Sequence, residues 1–127
     1  AVSDYGGTHT YMFRVSAGGK LDAKMPTMPM RLPIDQSGEF RFNEPPPYAA
    51  TSRGDGMAVD SAGRYYVTSD LGVQIFDPTG RPCGVLPKVN SGHPLTTCML
   101  GGSDHSTLYI AHGKNLYKRK LTVKKAK

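Results

Sequence analysis

Residues 54–69 read Gly54-Asp55-Gly56-Met57-Ala58-Val59-Asp60-Ser61-Ala62-Gly63-Arg64-Tyr65-Tyr66-Val67-Thr68-Ser69. Two short strand patterns and a turn fit into this stretch, and a carboxylate stands between two glycines near its start. A further strand pattern follows at residues 72–77, and Pro78-Thr79-Gly80 comes directly after it. Proline presets φ in a turn and glycine permits a positive φ. The stretch therefore predicts a meander of β-hairpins.

The composition favours an all-β domain. The chain has 127 residues, of which 15 are glycine and 10 are proline. An interior glycine costs a helix roughly 1 kcal/mol and an interior proline about 3 kcal/mol, so long helices are disfavoured. One domain with a modest core and frequent turns fits this length and composition.

The charge distribution argues against nucleic acid as a partner. Of the 16 basic residues, six lie between Lys118 and Lys127, and without them the formal net charge of +6 falls to zero. A nucleic-acid groove would instead spread basic and aromatic residues over the folded surface. No apolar run approaches the roughly 18 residues of a membrane span. We expect a soluble protein, cytoplasmic or periplasmic, with neither a membrane nor nucleic acid as its partner.

The sequence repeats itself along the chain. The two-strand pattern at residues 66–76 corresponds to that at 108–117, and the equivalent Val67 and Ile110 lie 43 residues apart. Several strands per unit, at a period of roughly 40 to 50 residues, are typical of a β-propeller built of antiparallel four-stranded blades. The predicted strands are Met57–Val59, Arg64–Ser69, Val73–Phe76, Cys83–Leu86, Thr97–Leu100, Thr107–Ala111 and Leu116–Lys120.

These repeats predict an incomplete propeller of about two and a half blades. We expect a partial blade at 1–24, a connection rich in proline and methionine at 25–54, a complete blade at 55–87, a last blade at 88–121 and a basic tail at 122–127. Such a segment leaves strand edges unpaired. It is therefore either one piece of a longer polypeptide or a unit that associates with further copies.

The prolines and cysteines lead to two local predictions. Residues 25–33 alternate methionine with proline. Because proline cannot donate to a sheet ladder, we expect an extended edge or loop that covers apolar surface, not a central strand.

Cys83 and Cys98 are the only cysteines, and each lies in an apolar strand pattern of a different blade. We expect two buried free thiols, because strands so placed rarely bring two Cα atoms within disulfide distance.

Asp55 is the strongest candidate for chemistry. An aspartate between two glycines, just before an inner strand, could approach a ligand closely, and calcium prefers carboxylate and amide oxygens. An aspartate before a strand also commonly hydrogen-bonds its own backbone in a turn. The residues alone leave both interpretations open.

The histidines lack the paired spacing of zinc ligands, and we expect them at the surface or in hairpins: His9, His93, His105 and His112.

Three segments resemble the gluconolactonase and regucalcin-like (senescence marker protein) lactonases, a family of six-bladed, calcium-dependent propellers. The segments are residues 55–63, residues 71–80, and residues 98–104 with 107–110. Their order and spacing also agree with the family. The resemblance implies that the chain corresponds to the C-terminal part, under half, of such an enzyme.

The same resemblance implies that Asp55 binds the divalent cation in the central channel and takes part in catalysis. Calcium or another divalent ion would act as a Lewis acid on the carbonyl of a sugar lactone, while a carboxylate orients or deprotonates the attacking water. The family's other ligands are a glutamate and an asparagine. No residue stands in their motif context, so none of these is assigned as a ligand: Glu39, Glu44, Asn43, Asn90 and Asn115.

Two functions follow as expectations. The first is the C-terminal part of a metal-dependent sugar-lactone hydrolase, inactive as the isolated chain because one carboxylate makes a poor calcium site. The alternative is a non-catalytic propeller fragment that self-assembles through its open strand edges.

Overall fold

The computed structural model describes residues 1–34 and 41–123, with the backbone alone at 23–26. These residues form strands, turns and loops and no helix, and so no membrane-spanning helix is found among them. The all-β prediction is confirmed for this part of the chain. The described strands are β1 (Val2–Ser3), β2 (His9–Val15), β3 (Leu21–Pro29), β4 (Met57–Val59), β5 (Tyr65–Thr68), β6 (Gly72–Phe76), β7 (Pro82–Pro87), β8 (Thr97–Gly101), β9 (Thr107–His112) and β10 (Asn115–Lys120).

The described strands form three antiparallel sheets, in the orders β1-β2-β3, β4-β5-β6-β7 and β10-β9-β8. Neighbours in each sheet are also neighbours along the chain, so each sheet is a meander, as predicted. The strands predicted between residues 57 and 120 are present, each within one residue of its expected ends. Four strands, as predicted for a complete unit, occur in the middle sheet, whereas the first and third sheets have three described strands each.

The same turn closes two hairpins of the middle sheet. Asp60 and Asp77 each begin an Asp-x-x-Gly-Arg sequence in which the glycine N–H donates to the aspartate C=O over 3.0 Å. The glycines Gly63 and Gly80 have φ of 78° and 88°, which an L side chain rarely adopts. A type I turn followed by such a residue matches the right-handed twist of the strands. The turn sequence therefore sets the register of these hairpins.

The middle sheet is buried on both faces because its strands carry apolar residues in both alternating sets. Val67 on β5 packs toward the first sheet, against Met28 and Met30. Its neighbour Tyr66 points to the opposite face and packs with Leu100 of the third sheet. The three sheets therefore stack face to face, and the core lies in two layers between them.

The segment that alternates methionine with proline is an edge, as predicted. Strand β3 is the outer strand of its sheet and ends at Pro29, past the proposed blade boundary at residue 24. Met28 is fully buried and Met30 is 6% exposed, so both cover the apolar face of the middle sheet. Proline on an edge strand leaves no ladder hydrogen bond unmade.

Gln74 fastens the chain after β3 to the middle sheet. Its side-chain oxygen accepts from the backbone N–H of Arg31 over 2.7 Å, and its Nε2 donates to the Arg31 carbonyl over 2.9 Å and to Ser69 Oγ over 3.0 Å. The Gln74 side chain is 1% exposed. The Gln74 side chain therefore makes with the Arg31 backbone the two hydrogen bonds that a neighbouring strand would make.

We expect Gln74→Ala to lower the free energy of unfolding by about 2–3 kcal/mol, because three hydrogen bonds are lost in a buried setting. Urea denaturation measures the loss. Hydrogen exchange at the Arg31 amide should accelerate well beyond the average for the sheet. Unchanged protection of that amide would show that Gln74 does not hold this segment.

The two cysteines are free, and they differ in burial. Cys98 is buried as expected, its Sγ lies 3.3 Å from the Tyr66 carbonyl, and burial raises the pKa of its thiol to about 12. Cys83 is exposed, so the prediction of a second buried thiol was wrong. The register passes from Ile75 opposite Gly84 to Phe76 opposite Pro82, which leaves Cys83 as the extra residue of a β-bulge on the outer strand. A bulge re-aims its side chain, and here the thiol faces solvent.

Candidate functional site

Asp55 lies where the three sheets meet. The hydroxyl of Ser3, at the end of β1, donates to the Asp55 carbonyl. The Asp55 N–H donates to the Thr68 carbonyl at the end of β5 over 3.0 Å. The next amide, that of Gly56, donates over 2.9 Å to the carbonyl of Thr96, which precedes β8. The backbone at Asp55 is therefore held by all three sheets at once.

The carboxylate of Asp55 has no hydrogen-bond donor within reach among the described residues, and the residue is half-buried. Asp60 and Asp77 behave differently, because each accepts from the backbone N–H two residues on over 2.8 Å. The interpretation of Asp55 as an aspartate that bonds its own turn is therefore wrong. Its backbone is fixed by hydrogen bonds, whereas its carboxylate makes none to the described residues.

Gly56, which follows Asp55, allows close packing between two sheets. A Cβ at Gly56 would lie 2.4 Å from Thr97 Oγ1 and 2.7 Å from Thr97 Cα, so only glycine lets β4 and β8 approach here. Two residues before Asp55, Arg53 has a φ of 51°, a strained conformation for a residue with a side chain. A strained backbone conformation persists where contacts with the surrounding structure hold it in place.

The Asp55 carboxylate is a hard oxygen ligand of the kind that calcium takes. Calcium normally takes six to eight oxygens, and Asp55 supplies one carboxylate. Within residues 1–34 and 41–123, no three His, Cys, Asp or Glu side chains come close enough to hold a metal ion together. Asp55 thus fits a calcium site in chemistry, and a complete site needs oxygen ligands from beyond this set.

The glutamates and asparagines that the sequence analysis left unassigned show no contact with Asp55 where the structure describes them. Glu44 pairs with Arg41 over 3.4 Å on the surface, and Asn43, Asn90 and Asn115 are exposed. Glu39 lies outside the described residues. No role in the site is assigned to any of them.

His93 and His105 are exposed in loops, as expected, whereas His9 begins β2 and His112 lies at the β9 end of a hairpin and is buried. His112 ends β9, is 5% exposed, and one of its ring nitrogens, Nε2, lies 2.8 Å from the His93 carbonyl. Its ring also lies 6.2 Å from that of Tyr117. His9 lies 2.8 Å from the Thr8 hydroxyl through Nδ1, and His105 takes a φ of 53° in the turn after β8. These contacts are structural.

Asp60 is a buried carboxylate that the sequence pattern did not single out. It accepts hydrogen bonds from the backbone N–H of Ala62 and Arg64, from Arg64 Nε over 2.8 Å and from the Tyr66 hydroxyl over 2.9 Å. Burial raises the pKa of Asp60, but these hydrogen bonds outweigh burial and leave the pKa below the ordinary value. Burial and the bond to Asp60 raise the pKa of Tyr66 to about 12. Because the buried Asp60 carboxylate already accepts these four hydrogen bonds, it anchors a turn and does not bind a ligand.

A cleft of about 1060 Å³ is lined by residues 30–34, by the turn between β5 and β6 and by the loop after β7. Asp70 and Lys88 form an ion pair of 2.6 Å in its wall, and both side chains are largely buried. The Asp70 N–H donates to the Ser52 carbonyl over 3.1 Å, which ties this wall to the segment that carries Asp55. The pair is not evident in the sequence because its members lie 18 residues apart, on different loops.

Comparison with known proteins places the chain in a family. The family model described as the SMP-30/Gluconolactonase/LRE-like region matches residues 12–114. The chain is also similar to the X-ray structure of a candidate gluconolactonase, with 16% identity and a TM-score of 0.54. That alignment covers 100% of this chain and 50% of the other protein, so the chain spans about half of its length. No curated protein matches the chain. Because the family model spans most of the sequence, the chain belongs to the SMP-30/gluconolactonase/LRE-like family.

Proposed function

We propose that this chain contributes Asp55 to the divalent-cation site of a sugar-lactone hydrolase, and that its three sheets are blades of a six-bladed propeller. One observation carries the proposal: a half-buried carboxylate that makes no hydrogen bond to the residues the structure describes stands where all three described sheets meet. Family membership supports the lactonase class. The substrate is a sugar lactone, and the ion is calcium or another divalent cation.

The chain's own residues would do two things in this reaction. Ser3, Thr68 and Gly56 fix the backbone, so that the point from which the Asp55 side chain extends is set before any ligand arrives. Such preorganisation avoids an ordering cost when the ligand binds. The carboxylate would hold the ion or orient the attacking water. When bound, the ion would supply Lewis-acid polarisation of the lactone carbonyl.

The 127-residue chain should have little lactonase activity of its own. Asp55 supplies one carboxylate, whereas calcium takes six to eight oxygens, so the ion would be held weakly and the lactone poorly positioned. Calcium-dependent hydrolysis of gluconolactone by the purified chain at an ordinary enzymatic rate, abolished by Asp55→Ala, would contradict this expectation.

A weak ion site should still be visible as stabilisation. With calcium at about ten times its Kd, we expect Tm to rise by roughly 3–8 °C, because a ligand that binds only the folded state shifts the unfolding equilibrium. Asp55→Asn should abolish the rise. Differential scanning fluorimetry across a calcium titration, with magnesium as a parallel series, measures both.

Asp77→Asn is the matched control for this titration, because Asp77 begins a turn of the same sheet and its carboxylate bonds its own backbone. It should lower the starting Tm and leave the calcium increment intact. An equal loss of the increment in both variants would mean that the ion binds surface carboxylates in general. That result would remove Asp55 from the site.

A further inference from the structure

The cleft of about 1060 Å³ has no part in the proposed lactonase reaction, and Asp55 is not among the described residues that line it. Its walls are residues 30–34, Tyr48, the turn between β5 and β6, and the loop after β7. All of these belong to the same chain. A ligand for the cleft can therefore be sought with the purified chain alone.

Hydrogen bonds fix the walls of the cleft to the middle sheet and to each other. Gln74 holds the Arg31 backbone through both its N–H and its carbonyl. On the opposite side, the Lys88 N–H donates to the Leu71 carbonyl over 3.3 Å, which joins the loop after β7 to the turn between β5 and β6. A ligand that enters walls fixed in this way pays little to order them.

Most of the described lining residues are apolar or aromatic: Met30, Leu32, Pro33, Ile34, Tyr48 and Leu71. Apolar walls with a few polar groups are the usual lining of a pocket for a small organic molecule. A molecule with hydroxyls on every carbon would leave these side chains without an apolar partner. The composition of the walls therefore favours a ligand with an apolar body.

The charged residues among the described lining are two cations and one anion: Arg31, Lys88 and Asp70. Lys88 and Asp70 pair over 2.6 Å with side chains that are 17% and 23% exposed, so their charges largely cancel. Arg31 is exposed, and its guanidinium makes no hydrogen bond or ion pair with the part of the chain that the structure describes. One positive charge is left for a ligand.

We propose that this cleft binds a small organic carboxylate with an apolar body, held by the guanidinium of Arg31 and covered by the apolar walls. The planar guanidinium can donate two parallel hydrogen bonds to one carboxylate. A single carboxylate balances the remaining positive charge, whereas a phosphate monoester carries about −1.5 to −2 at pH 7 and would leave excess negative charge. The proposal uses neither Asp55 nor a metal ion, so it does not rest on the lactonase function.

Titration of the ¹⁵N-labelled chain with phenylacetate tests the proposal by NMR. The backbone amides of Arg31, Leu71 and Gly92 should shift saturably, with a Kd of about 1 mM, an ordinary affinity for a ligand of this size. The Asp55 amide should not shift. Phenylacetamide lacks the charge and acetate lacks the apolar body, so each should bind about ten-fold more weakly or worse.

Arg31→Gln should raise the Kd for phenylacetate about ten-fold or more, because it removes the charged donor and leaves the backbone contacts with Gln74 in place. Arg119→Gln is the matched control, since it removes the same charge from an exposed position on β10, in another sheet. The control should bind like the wild-type chain. Circular dichroism verifies that both variants are folded.

Four results would overturn the proposal. The first is the absence of saturable shifts at about 20 mM phenylacetate. The second is an equal loss of affinity in Arg31→Gln and Arg119→Gln, which would mean that the anion is attracted to positive charge in general. Tighter binding of phenyl phosphate would assign the cleft to a dianion instead of a carboxylate. Equally tight binding of gluconate would show that the apolar walls are not recognised.

Discussion

Gly72→Ala is expected to lower the free energy of unfolding by about 3–5 kcal/mol, through backbone strain and steric overlap together. Gly72 begins β6 with a φ of 134°, which L side chains rarely adopt. A Cβ there would lie 2.1 Å from the Leu86 carbonyl oxygen and 2.8 Å from the Lys88 nitrogen. Both are backbone atoms of the neighbouring strand region, so a rotamer change cannot relieve the overlap. Urea denaturation measures the effect.

Gly84→Ala is the control within the same sheet. Gly84 lies on β7 opposite Ile75, and no heavy atom lies within 4 Å of the position its Cβ would take. Alanine there should be neutral or stabilise by up to about 1 kcal/mol, because it restricts the unfolded chain and has space in the folded one. Equal losses at both glycines would show that close packing between β6 and β7 is not the reason for Gly72.

Asp60→Ala is the second large effect, with an expected loss of about 3–4 kcal/mol, because it removes a buried carboxylate from its charged and neutral donors. Asp60 is fully buried, whereas the side chain of Arg64 is 35% exposed and can regain water, which limits the loss. Asp60→Asn should cost about 1.5–3 kcal/mol, since it keeps the shape and removes the charge. Asp77→Ala should cost a small fraction of either, because the Asp77 side chain makes its hydrogen bonds at the surface.

Asp60 should also make stability depend on pH in the acid range. Its pKa is lower in the folded chain than in the unfolded one, so its contribution is complete above the unfolded pKa and disappears as pH falls through the folded pKa. The free energy of unfolding should therefore decline below about pH 4. In Asp60→Asn this part of the decline should be absent. Identical pH profiles for both proteins would mean that the pKa of Asp60 is the same in the folded and the unfolded chain.

Local pattern was sufficient for the strands and most of the turns. Alternation with period two identified β4 to β10 to within one residue, and the Asp-x-x-Gly-Arg turns place their hairpins because positive φ favours glycine. The prolines correctly predicted β3 as an edge. These features depend on a few neighbouring residues, and the chain carries that information directly.

The burial of single side chains depended on contacts between sheets. Cys83 occupies an apolar strand pattern, but a bulge on an outer strand turns it to solvent. Asp60 has the same local turn sequence as Asp77, but only Asp60 has a tyrosine hydroxyl above it and no access to water. Period and composition cannot distinguish such pairs, because the deciding neighbours lie elsewhere in the fold.

For the candidate site too, the sequence indicated the residue and the tertiary structure decided its surroundings. Asp55 stood out in the sequence through its two flanking glycines and through a family resemblance. Its position where three sheets meet arises from Ser3, Thr68 and Thr96, which lie up to 52 residues away along the chain. Local residues choose strand and turn because backbone conformation is a local property, whereas the surroundings of a carboxylate exist only once distant strands have packed.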